Sequence, residues 1–158
     1  MIKGCIKRLL LCLSLVFLSF SFLKAQGPIP MNKKEFKFYF TQGNIMLLEN
    51  FYDTALATFA YIYRMDTMNA NVNYKIGYIL LQLPGNKSQA QRFLQKAVEK
   101  ISPKYIEDEP GEKRAPRIAL YYLGKALHIN ADYLRAIDYF DRYKTAMGKK
   151  LTKEQLDD

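Results

Sequence analysis

One spacing occurs three times in this chain: Gly43 with Ala55 and Phe59, Gly77 with Ala90 and Leu94, and Gly124 with Ala136 and Phe140. A small residue, a second small residue twelve or thirteen positions on and a large apolar one four further is a repeat signature. Two antiparallel helices approach closely only where both are small at the crossing, and a large side chain must fill the adjoining gap. The spacing therefore predicts helical hairpins. Such a hairpin is amphipathic on two faces and cannot bury both alone, so neighbours stack, and about three are needed for stability.

The apolar pattern fits this reading. Phe36, Tyr39, Phe40, Gly43, Met46 and Leu47 recur at helical spacing, never in strand alternation, and predict an all-α chain. Asn32 with Glu35 forms a capping signal for a first helix to about Leu48, and Asn50 is read as the cap of its partner. The hairpins are expected over about 32–66, 71–101 and 116–147, within one domain spanning 26–148. Pro84-Gly85 marks the turn of the second, which is one residue longer than the others. Pro116 suits the first helical position of the third, and Gly148 its end. Between the second and third hairpins lies an inserted loop over about 102–115. Its charges, among them Lys104, Glu107, Asp108, Glu109, Lys113 and Arg114, read first as a solvated connector and second as a place for partner contacts. Residues 149–158 hold a capping box, Thr152 to Gln155, and are expected either to begin a further helix or to fray.

The first 25 residues are of different material. Lys3, Lys7 and Arg8 precede an uncharged apolar run from Leu9 to Leu23, with Ala25 ahead of Gln26, the pattern of a secretory signal peptide. The run is shorter than the ~20 residues of a bilayer-spanning helix, so an uncleaved anchor is the lesser reading and no transmembrane span is expected in the mature chain. Both cysteines, Cys5 and Cys12, fall inside this segment, which leaves the mature chain without disulfides, thiolate metal sites or a cysteine nucleophile. Its loss removes four of the 24 basic residues (Lys3, Lys7, Arg8, Lys24) and leaves 20 against 15 acidic ones, a charge of about +5. That is below the excess of a dedicated nucleic-acid binder, and no nucleic-acid partner is expected.

Residue by residue, the units resemble tetratricopeptide repeats. Tyr39, Gly43, Met46, Ala55, Phe59 and Ile62 fill the consensus positions in the first, and Leu120, Gly124, Leu127, Ala136, Phe140 and Tyr143 in the third. The second uses Asn73, Gly77, Leu80, Ala90, Leu94 and Ala97, with Asn73 departing from the apolar preference. The resemblance implies a TPR-like α-solenoid of three helical hairpins after an N-terminal signal peptide. A narrower one lies in the stretches 73–78, 115–124 and 136–140. They are similar to the N-terminal repeat region of exported OmpA-family envelope proteins associated with type IX secretion. That family implies a location in the periplasm or at the periplasmic face of the outer membrane, and partners among envelope or secretion-system proteins. In it the repeats commonly precede a β-propeller and a peptidoglycan-binding domain, so a link to peptidoglycan would be indirect, through domains absent here.

Nothing in the residue pattern supports catalysis. His128 stands alone beside Leu127 and Ile129, and Asp138 with Asp141 reads as a solvated face. There is no phosphate-cradling glycine loop, Gly-x-Ser-x-Gly or His-Glu-x-x-His, and no cofactor or metal is expected. What stacked hairpins offer is a concave groove, lined mainly by the first helix of each pair. Repeat alignment assigns to it Lys37, Phe40, Asn44 and Leu47, then Tyr74, Tyr78 and Leu81, then Tyr121, Lys125 and His128. The expected partner-binding set is Phe40, Asn44, Tyr74, Tyr78, Tyr121 and Lys125, with tyrosines as anchors and Asn44 and Lys125 as polar fixers. The two functional readings are a docking scaffold and a spacer that positions downstream domains; groove and insertion remain alternative binding surfaces.

Overall fold

The computed structural model describes Pro30 and residues 32–148. The expected signal peptide and the segment 149–158 lie outside the described residues. Six α-helices make up almost all of the regular structure: α1 (Lys33–Leu48), α2 (Tyr52–Tyr63), α3 (Ala70–Gln82), α4 (Ala90–Ala97), α5 (Ala119–Ile129) and α6 (Tyr133–Met147). They pack as consecutive pairs, α1 on α2, α3 on α4 and α5 on α6, and each pair packs on the next through α2 with α3 and α4 with α5. The described residues are all-α apart from two strands of two residues, β1 (Ile101–Ser102) and β2 (Ala115–Pro116).

The glycine spacing is explained by contact. A Cβ at Gly43 would stand 2.7 Å from the Phe59 ring, one at Gly77 2.5 Å from Leu94 Cγ, and one at Gly124 2.6 Å from the Phe140 ring. Each large residue occupies the space that its partner glycine vacates. Ala55, Ala90 and Ala136 complete the crossings and are wholly or almost wholly buried.

The turns within the first and third hairpins are built alike, and differently from the expectation. Asn50 does not cap α2. It sits at φ 60°, and Phe51 N donates to Met46 O at 2.8 Å while Asn50 N donates to Leu47 O. Ala131 repeats this at φ 59°, with Asp132 N on Leu127 O at 2.9 Å and Ala131 N on His128 O. Both are Schellman closures, which satisfy the carbonyls left over at a helix end.

The second hairpin begins at Ala70 rather than Asn71. Asn69 caps it, its Oδ1 accepting from Asn71 N and Val72 N. Asn73, out of place in an apolar consensus, donates to Thr67 O at 3.0 Å and Asn69 O at 2.8 Å, and so ties down the turn before the helix. Pro116 does not open α5; it lies in β2, and the helix starts three residues later because Pro116 pairs with Ser102.

The parallel pairing of Ile101 with Ala115 and Ser102 with Pro116 closes the base of the inserted loop. The loop's charged residues Lys104, Glu107, Asp108, Glu109, Lys113 and Arg114 are exposed, as expected of a solvated connector, but its base is also bonded to the helices. Ala70 N donates to Lys113 O at 3.1 Å, Asn71 Nδ2 to Glu112 O, and Lys113 pairs with Asp66 at 3.3 Å. Covered by the loop on one side and by α2, α4 and α5 on others, α3 is buried at every position from Ala70 to Gly77. Burial all round suits an apolar helix, and here it encloses Asn71, Asn73 and Lys75 as well.

Candidate functional site

A cavity of about 310 Å³ opens where α1, α3, α5 and the loop meet. Asn44, Leu47 and Leu48 line it from α1, Tyr74, Lys75 and Tyr78 from α3, Tyr122 from α5, and Glu107 and Asp108 from the loop. The three tyrosines form one cluster. Tyr122 lies 6.2 Å from Tyr74 and 5.2 Å from Tyr78, ring centre to ring centre, and Tyr105 meets Tyr74 edge-on at 6.2 Å. Burial pushes the Tyr122 hydroxyl up to about 12, and drives Tyr74 and Tyr105 upward as well. All three are neutral hydroxyls at physiological pH, able both to donate and to accept.

Lys75 is the unusual group. Its side chain is 2% exposed, with Nζ 5.6 Å from the centre of the Phe40 ring and 6.0 Å from that of Phe59. Glu107 approaches from the loop at 3.7 Å while remaining 66% exposed itself. Burial lowers the Lys75 pKa, and Glu107 and Asp108 oppose that shift. Asn44 donates to Asp108 Oδ1 at 3.3 Å, and its buried Oδ1 has no hydrogen-bond partner among the described residues. Tyr105 donates to Asn71 Oδ1 at 2.7 Å. Further along the loop, Glu112 takes a forked pair of 2.8 Å bonds from Arg114, which hold its carboxyl down to about 2.

The residues expected to bind a partner separate into two groups. Asn44, Tyr74 and Tyr78 come together at the cavity, although Tyr74 is only 8% exposed and serves as packing as much as surface. Phe40 is wholly buried beneath Lys75 and Phe59's ring edge, so it supports the floor and offers nothing to a partner. Tyr121 points elsewhere, against Phe140 and Tyr143 at 5.6 and 5.5 Å, and exposed Lys125 lies over its ring. The neighbour of Tyr121, Tyr122, is the residue that reaches the cavity. His128 is exposed and stacks edge-on with Tyr133, and Leu81 is buried in the core.

Lys75, Tyr122, Leu48, Glu107 and Asp108 were not singled out as groove residues by the pattern. A signal existed for Lys75, which is the sole charged residue in the helix from Ala70 to Gln82. Among the described residues, no group of three or more His, Cys, Asp and Glu side chains is placed to hold a metal ion, and no helix is long and apolar enough to cross a membrane. No protein-family model matches the chain, and no curated protein matches it either.

Proposed function

We propose that this protein is a non-catalytic, exported scaffold of the tetratricopeptide type. Its three helical pairs stack as a short α-solenoid, and the cleft formed by the first helices docks a protein of the cell envelope, in the periplasm or at the periplasmic face of the outer membrane. A component of type IX secretion machinery is the partner that the resemblance implies. Support for the repeat reading comes from three glycines, each facing the large side chain sixteen or seventeen residues on.

The observation that carries docking is the cavity itself, an aromatic cleft with convergent polar groups and an apolar lip. Leu48 forms part of that lip and is 79% exposed, and Tyr78 is half-buried. Aromatic and apolar side chains beside polar groups that ring them, here Asn44, Glu107 and Asp108, match the apolar centre and polar rim of protein interfaces. Cross-linked capture from envelope extract, with residues 26–158 as bait, tests the reading against Leu48→Asp and Tyr78→Ala variants of verified fold. Loss of discrete partners, by about 2 kcal/mol or roughly thirtyfold in affinity, is the expected result. Equal capture by both variants would move docking away from this cleft.

A spacer is the second reading. Leu134 and Ile137 on α6 are 84% and 57% exposed, with Ile129 and Tyr133 also exposed nearby, an apolar face suited to a further packed domain. On that reading the repeats alone capture no envelope protein, and any link to peptidoglycan runs through the further domain.

A further inference from the structure

Three buried polar side chains are each met by the loop. Asn71 and Lys75, one helical turn apart on α3, and Asn44 on α1 are at most 7% exposed. The loop supplies a partner to each from the solvent side, through the Tyr105 hydroxyl to Asn71, the Glu107 carboxylate to Lys75 and the Asp108 carboxylate to Asn44. The stretch 104–109 thus occupies the groove in the manner of a bound peptide.

It occupies the groove incompletely. The Lys75–Glu107 separation of 3.7 Å exceeds the usual hydrogen-bond range, Asn44 Oδ1 finds no donor among the described residues, and about 310 Å³ stays open beside both carboxylates. A buried ammonium beside an exposed carboxylate is poorly compensated, and a closer acid would compensate it better. The loop's base is held quite differently, by the β1–β2 pairing, the Glu112–Arg114 fork and the Ala70–Lys113 bond. These bonds anchor the base; at the tip Tyr105 is held at 2.7 Å by Asn71, while exposed Glu107 and Asp108 make only long contacts, at 3.7 and 3.3 Å.

Resting on the docking reading, we infer that the loop tip is a built-in occupant of the groove, and that the partner which displaces it presents an acidic segment with a tyrosine just ahead of paired carboxylates. Tyr105, Glu107 and Asp108 imitate that segment. The charge argument points the same way, because lifting the tip uncovers Lys75 with no remaining carboxylate from α1 or α3 among the residues lining the cavity.

The probe is a labelled peptide with the sequence of residues 103–110, added to the whole chain. Wild type should bind it weakly. A Glu107→Gln, Asp108→Asn variant, altered only at exposed positions, should bind at least tenfold tighter, and adding Lys75→Met should abolish that gain. A peptide with the same two acids replaced by amides should not bind. Equal affinity for wild type and the double variant, or no binding to either, would establish the loop as a permanent strap and overturn the inference. Partner capture dependent on Leu48 and Tyr78 that persists in that case leaves the scaffold standing. Peptide binding with no envelope protein captured leaves the self-occupied groove standing and removes the scaffold.

Discussion

At Gly77 the space for a side chain is already taken. Leu94 Cγ is a branch carbon on a wholly buried residue, so a methyl group 2.5 Å away cannot be relieved by swinging the end of a flexible chain. Helix propensity alone favours Gly77→Ala by about 1 kcal/mol. Overpacking costs about 1–3 kcal/mol, and the Leu94 contact decides which wins. Gly77→Ala is expected to lower the urea midpoint, and in a Leu94→Ala background the same change should cost less or become favourable. Additive losses in the two variants would show that the contact does not govern the crossing. Gly43 and Gly124 obey the same geometry, and their spacing was legible because it is a steric rule written in residue types. Ala131 was not legible in this way, and Asn50, of a residue type that favours the left-handed region, was read as the cap of the next helix instead. A left-handed residue at a Schellman closure is set by the carbonyls left free at the helix end, and alanine carries no sign of it.

The inserted loop is the element on which pattern and structure diverge most. Its position was readable from the break in apolar periodicity and from Pro103, Pro110 and Gly111. Its docking was not, because exposed Glu107 and Asp108 look the same in sequence whether or not Lys75 and Asn44 lie behind them. Glu112 makes the element's pH dependence testable. Its carboxyl pKa falls from 4.5 to about 2, chiefly through the Arg114 hydrogen bonds. A depressed folded value means that the contribution is present above about pH 4.5 and is lost as pH falls through about 2. Stability should therefore drop across that acid window, and the drop should be smaller in Glu112→Gln, which is less stable than wild type at neutral pH. Urea melts at pH 6, 4 and 2.5 provide the check; parallel curves for the two proteins would remove Glu112 from the account.

In the whole molecule, α3 is the keystone, since it contacts α2, α4, α5 and β2. Ile79 lies in it with no exposure, and truncation to alanine should cost about 2–5 kcal/mol. Because the aromatic clusters of the first and third pairs both lean on this helix, helix circular dichroism and tyrosine fluorescence should fall together at the lowered midpoint. Separate transitions would mean that the pairs fold independently. The sequence by itself determined that the chain is helical, where helices cross within each pair and where an extra segment interrupts them, because period and side-chain volume act between neighbours along the chain. Only the tertiary structure decided that Tyr122 rather than Tyr121 reaches the cleft, that Phe40 is floor rather than surface, and that Lys75 lies buried under the loop. Those outcomes depend on how one pair is rotated against the next and on how a loop folds back, and both follow from contacts among residues far apart in sequence.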